Sequence, residues 1–179
     1  MAESWWSRVD DQTLRQGDYF PRCLVPVIPR ELGESDHLER PVGLLEYGLI
    51  ILTQSCDLEN QRAKVVASCP IWPVSDFERV SGDPSGSRRQ WASKWNSVRK
   101  GREPALHLLP SPTDPLNAES TLVVDFRQIH SLPFEYLTRR ASELAERWRL
   151  MSPYLEHFSQ AFARFFMRVG LPSSVPEFK

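Results

Sequence analysis

The run Gly48-Leu49-Ile50-Ile51-Leu52, set within Tyr47 to Thr53, constrains this chain more than any other segment. It is too short for a helix and carries β-branched residues, so it reads as a central strand buried on both faces. Asp57 to Arg62 then reads as a turn, and Ala63 to Trp72 returns as the hairpin partner. The same run falls far short of the ~20 apolar residues a membrane helix needs. Asp18 to Ile28 is an earlier strand whose prolines confine it to an edge or a bulge, because each removes a ladder donor. Ala105 to Leu109 and Thr121 to Phe126 are two further short strands.

Helices fill the gaps and the last third. Ser4 reads as the cap of a short helix reaching Leu14. Ser81 to Ser87 is a loop signature, and Arg88 to Lys100 follows as a helix. Pro133 opens a helix over Glu135 to Ala145, and Ser152-Pro153 reads as an N-cap with proline at the first helical position. Beyond it Leu155, Phe158, Phe162, Phe165 and Val169 recur at three and four residues and face a sheet, until Gly170 and Pro172 stop the helix. The 179 residues make one domain: a helical extension over 1–16, a sheet body over 17–130 with an insertion at 75–104, and helices over 131–171. Fifteen prolines against eight glycines suit short strands and irregular links, and strands first with helices last give an α+β fold, a small curled barrel.

Charge and cysteines narrow the setting. A formal net charge of −1 excludes a protein that grips nucleic acid by bulk charge. The N-terminus lacks a signal-peptide pattern, and three unpatterned cysteines suit a reducing compartment, so a cytoplasmic protein is expected.

Candidate chemistry is sparse. Leu52-Thr53-Gln54-Ser55-Cys56-Asp57-Leu58 is the most unusual polar cluster, at the end of a buried strand. Cys56 there is a nucleophile if His107 or His130 serves as base, and otherwise a small apolar group beside ordinary turn formers. Cys56, Cys69, His107 and His130 lack metal-ligand spacing, so no metal and no cofactor is expected. Arg88 to Arg102 is the one basic block, with Arg88, Arg89, Lys94, Arg99, Lys100 and Arg102 around Trp91 and Trp95. The two tryptophans, four residues apart, share a helix face. They either dock that helix on the body, with the cations in water, or form a contact surface for protein or nucleic acid. Arg139, Arg140, Arg147, Arg149, Arg164 and Arg168 read as decoration of the C-terminal helices, with Arg164 and Arg168 on one face as the better contact candidates.

Four segments resemble the MazF/PemK toxin family. Gln16-Gly17-Asp18-Tyr19-Phe20 is similar to its opening Gly-Asp strand, and Gly48 to Thr53 to its next buried strand. Val65-Val66-Ala67-Ser68-Cys69-Pro70 is similar to the strand that follows, and Thr121 to Ile129 to the later strand before the helix. The resemblance covers about two thirds of the chain and implies an SH3-like barrel with a C-terminal helix. Family members cut RNA without metal, using an Arg at the start of the second strand and a Thr or Ser beyond the proline. Here Glu46-Tyr47 stands at the Arg position and Ile71-Trp72-Pro73 at the Thr position. The Thr53-Gln54-Ser55-Cys56-Asp57-Leu58 motif and Gln160 to Pro172 also resemble bacterial proteins to which no activity is attached.

The resemblance therefore implies a catalytically silent binding or inhibitory module of a bacterial defence or toxin–antitoxin system. Its partner is expected to be an antitoxin, a transcription factor or a defence protease, held by Pro29 to Gly43 with Arg40, by Trp72, and by the helix carrying Arg88, Arg89, Trp91, Lys94 and Trp95, with Arg164 and Arg168 extending the surface. RNA is the other occupant considered, and the family's dimer is left open. The alternative is an endoribonuclease of altered site, drawing on Arg40, Thr53, Asp57, His107 and His130.

Overall fold

A computed structural model describes residues 4–29, 42–80 and 88–167. The fold is α+β: a large antiparallel sheet with helices laid on both faces. Its strands are β1 (Trp6–Val9), β2 (Asp18–Val27), β3 (Gly43–Ile51), β4 (Val65–Pro73), β5 (Leu106–Leu109), β6 (Leu122–Asp125), β7 (His130–Pro133) and β8 (Arg147–Leu150). The helices are α1 (Ser55–Glu59), α2 (Val74–Val80), α3 (Arg88–Arg99), α4 (Phe134–Glu143) and α5 (Tyr154–Phe166). Strand order runs β1-β8-β2-β3-β4-β6-β5, with β7 paired to β4.

The continuous apolar run follows from this layering. Along β3, Leu49 and Ile51 belong to the core beneath α4, with Leu137 and Ala141, while Ile50 and the following Leu52 belong to the core beneath α5, with Phe158. Side chains alternate across a strand, so a sheet covered on both faces needs apolar residues at every position. The expected hairpin is present: Leu49 pairs with Pro70 and Ile51 with Ser68. On its other side Ser68 pairs with His130. The β2 register shifts between Phe20 and Cys23, around Pro21 and an Arg22 held at φ 55°, which is the expected bulge.

Among the described residues the sheet does not close by strand pairing, since β1 and β5 end the path. Its two ends are joined by a side chain instead: the buried Trp6 indole N–H donates to the carbonyl of Pro110, just past β5, at 2.9 Å. Trp6 shares one core with Leu109, Leu122 and Leu150.

Several expectations need correction. The segment from Ser4 to Leu14 is not a helix. Trp6 to Val9 is a strand on β8, with Trp6 opposite Leu150 and Val9 opposite Arg147. Arg147 and Arg149 accordingly lie on a strand and not on a C-terminal helix, and His130 to Pro133 is a strand that precedes α4. Asp57 sits in α1, a short helix where a turn was expected. Pro153, with a cis bond to Ser152, occupies the N-cap of α5, and the Ser152 hydroxyl donates to Glu156 instead of capping the helix. α3 is the expected helix, whereas α2 lies within what was read as a broken insertion. In α5, Phe158, Phe162 and Phe165 all pack on Phe126, with ring centroids 5.4–6.2 Å apart, so the aromatic stripe does face the sheet. Val169, Gly170 and Pro172 lie outside the described residues.

Candidate functional site: the aromatic and basic face of α2 and α3

α2 follows β4 directly, and Phe77, one turn after Val74, is buried against the sheet. α3 lies beside it. Val98 is its buried anchor, and Trp91 and Trp95 are half-buried against Phe77, Leu106 and Val123. The Trp95 indole N–H donates to a Glu78 carboxylate oxygen at 2.6 Å, tying α3 to α2. Four aromatic contacts then run in series. Trp91 stacks on Trp95 at 5.6 Å, Trp95 meets Phe77 edge-on at 5.7 Å, Phe77 meets Trp72 at 5.7 Å, and Trp72 meets Tyr47 at 5.9 Å. His130 stacks on the far side of the series, on Tyr47. Offset and edge-on geometries of this kind add to the stabilisation given by area burial alone.

Of the expected partner-binding residues, Trp72, Trp91, Lys94 and Trp95 are brought together here. The Lys94 ammonium stands 4.6 Å from the Trp91 ring centroid and 5.4 Å from that of Phe77. Arg88 and Arg89 are exposed on the same helix. The tryptophans therefore dock α3 on the body and also border open space. A cleft of about 960 Å³ lies along Trp91, Ala92 and Trp95, with Arg88 at its rim and Asn117 to Ser120 opposite. A second cleft of about 280 Å³ is lined by Trp72, Phe77, Val80, Lys94, Asp125, Arg127 and Gln128. Between Arg88 and Arg102 the chain carries six cations and no acid, so a net charge of −1 leaves −7 on the remainder. Among the described residues none of the six forms a salt bridge. Arg164, on α5, is exposed. Arg40 and Arg168 lie outside the described residues.

The residues considered for nuclease or thiol chemistry have separate surroundings. His107, on β5, packs on both Phe126 and Phe158, which also touch each other, and burial pulls its pKa down to about 4, with the charge on His157 adding to the effect. It is a half-buried imidazole held among aromatic rings. Burial also lowers the pKa of His130, which is stacked on Tyr47. The Thr53 hydroxyl accepts from the Ala67 amide at 2.8 Å, which fixes the turn after β3. Cys56 is exposed on α1, its thiol 3.7 Å from the Gln54 side-chain oxygen, with neither histidine among its hydrogen-bond partners. The polar cluster around it has a structural task. The Ser55 hydroxyl accepts from the Gln16 amide, the Gln16 side chain donates to the Leu52 carbonyl, and the Gly17 amide donates to the Ile51 carbonyl. These bonds hold the entry to β2. No group of three or more His, Cys, Asp or Glu side chains among the described residues is placed to hold a metal ion.

Two features were missed from sequence. Asp125 is a buried carboxylate that grips Arg127 through both oxygens, at 2.8 and 2.7 Å. That hydrogen bonding raises the Arg127 pKa against the cost of its partial burial. The signal available was an i, i+2 acid–base pair closing a buried strand. The second is a buried ion cluster around Asp18, described below. Among the described residues no helix is long and apolar enough to cross a membrane. Compared with family models, curated proteins and solved structures, the chain matches none of them.

Proposed function

We propose that this chain is a catalytically silent binding module, an SH3-like barrel of the MazF/PemK kind that holds a protein partner against the α2–α3 face. It acts in the bacterial cytoplasm, in a defence or toxin–antitoxin setting, on an antitoxin, a transcription factor or a defence protease. The observation that carries the reading is the half-buried aromatic row beside the 960 Å³ cleft, on a helix whose own charges are all positive. Anchors of this kind, partly buried and rigidly packed, are typical of protein-binding hot spots. A protein occupant is favoured over RNA because the tryptophan rings are already engaged by one another and by Lys94, whereas base recognition by single strands needs free ring faces. The barrel reading is supported by the antiparallel sheet whose two ends Trp6 draws together. The silence of the site is supported by the packing of His107 on aromatic rings and the structural use of Thr53.

The test is a photo-crosslinking amino acid placed at the exposed Ala92, in cells that express the protein natively. One predominant protein adduct, lost when Arg88 and Arg89 are both changed to Glu, is the expected result. Adducts to RNA, or a pattern no different from that of a crosslinker at exposed Ser142, would overturn it. A self-adduct would replace the foreign partner with a second copy. Incubating the purified protein with mixed-sequence RNA in EDTA is expected to leave the RNA intact.

A further inference from the structure

The smaller cleft between α2, α3 and the end of β6 has a composition that the partner reading alone does not use. Its apolar lining is Trp72, Phe77 and Val80. Its polar lining consists of Lys94, Gln128 and the Asp125–Arg127 pair. Asp125 is 1% exposed and spends both carboxylate oxygens on Arg127, accepting also from the Arg127 backbone amide at 3.0 Å. The guanidinium is thereby fixed in one orientation through its Nε and one terminal nitrogen, and its other terminal nitrogen keeps its donors. Lys94 is half-buried, its ammonium lies over the rings of Trp91, Phe77 and Trp95, and among the described residues it forms no salt bridge. A partly desolvated ammonium without an anion is unfavourable, and an incoming negative group relieves that cost.

The charges set the class of ligand. Asp125 neutralises Arg127, so Lys94 leaves the lining at +1, which suits a monoanion. The donors suit an oxyanion, and a cleft of about 280 Å³ bordered by Trp72 and Phe77 leaves room for one large side chain beside it. Resting on the partner reading, we propose that this cleft captures the carboxyl terminus of the partner, its last residue apolar or aromatic. The carboxylate meets Lys94 and the outer edge of Arg127, while the terminal side chain lies on Trp72 and Phe77. Capture of a chain terminus explains why a small, donor-rich cleft adjoins the longer one along Trp91 and Ala92, with Lys94 and Trp95 between them.

N-acetyl-phenylalanine and its carboxamide, which differ only in the negative charge, are the probes. They are titrated into the full chain while the Trp72 indole N–H resonance is followed. The acid is expected to shift that resonance with at least tenfold tighter binding than the amide. Lys94→Met should remove the difference and Lys94→Arg should restore it, with unchanged melting temperatures showing that each variant is folded. Equal binding of acid and amide, or no shift with either at 20 mM (a concentration of the order that weak fragments require), would overturn the proposal. So would inorganic phosphate that displaces the acid at equal concentration. A foreign adduct at Ala92 together with any of these results would sink the terminal-carboxylate assignment and leave the partner reading standing.

Discussion

Asp18 and Arg147, 129 residues apart in sequence, form an ion pair at 3.0 Å in which the carboxylate is wholly buried and the guanidinium side chain is 1% exposed. Arg149 reaches the other carboxylate oxygen of Asp18, and the Arg15 amide donates to the cluster at 3.1 Å. Arg147 also donates to the carbonyls of Asp11 and Thr13. The cluster joins β8, the start of β2 and the 10–15 link at one point, and so brings the last strand beside the first two.

Asp18→Ala is expected to destabilise the protein by about 3–5 kcal/mol, the usual cost of stranding a buried charge. Asp18→Ala combined with Arg147→Met should recover part of that loss. Urea denaturation of the two variants checks this. A loss below about 1 kcal/mol for Asp18→Ala would show that the pair is not buried as described.

Trp6→Phe keeps an aromatic ring in the core but removes the donor to Pro110. It should cost about 1 kcal/mol for the hydrogen bond, with some further loss for the smaller ring. Hydrogen exchange should quicken at the β1 and β5 amides before it does so in β3, because the Trp6 bond ties the two ends of the sheet.

Gly17 has φ +81°, and a Cβ there would come within 2.9 Å of Leu155 and 3.0 Å of Leu150. Gly17→Ala combines a left-handed backbone with a clash, so a loss of more than about 1 kcal/mol is expected. Thermal melting measures it.

Stability should fall with acid through His107. Its folded pKa of about 4 lies below the unfolded 6.5, so the unfolded chain takes up the proton first. Between those two values stability declines as pH falls, and below about pH 4 the penalty is complete. His107→Leu should flatten that part of the profile of melting temperature against pH.

Of the three cysteines, Cys23 and Cys69 are buried and Cys56 is exposed. Burial, with the charge of Asp125 adding to it, pushes the Cys69 thiol up to about 12, and burial raises Cys23 as well. A disulfide reagent at pH 8 should titrate one thiol rapidly in the native protein and all three in denaturant. Cys56→Ser should abolish the rapid phase.

Local pattern carried much of the fold. Leu49 to Leu52 had to be a strand covered on both faces, and the pairing of β3 with β4 followed from the turn beyond it. The spacing of Phe158, Phe162 and Phe165 marked the buried side of α5, and the bulge in β2 followed from its prolines. Trp91, Lys94 and Trp95 were legible as neighbours on one helix because of one helical spacing within one basic block, whereas Trp72 was named only through the family resemblance. Short strands with two or fewer large apolar residues were not legible, unlike the equally short β5 and β6 with three each. Trp6 to Val9, His130 to Pro133 and Arg147 to Leu150 are four residues each, too few to show alternation.

The sequence alone thus determined which segments must be buried and the period at which each buries its side chains, since these depend on neighbours a few residues away. The tertiary structure alone decided that Arg147 is buried with Arg149 beside it on one carboxylate, that His107 packs among phenylalanine rings, and that Lys94 and Arg127 share one cleft. Each of those facts depends on a partner dozens of residues distant: Asp18 for the arginines, Phe158 for His107, and the end of β6 for Lys94. Burial of a polar side chain depends on its partners, and those partners come from elements far apart in sequence.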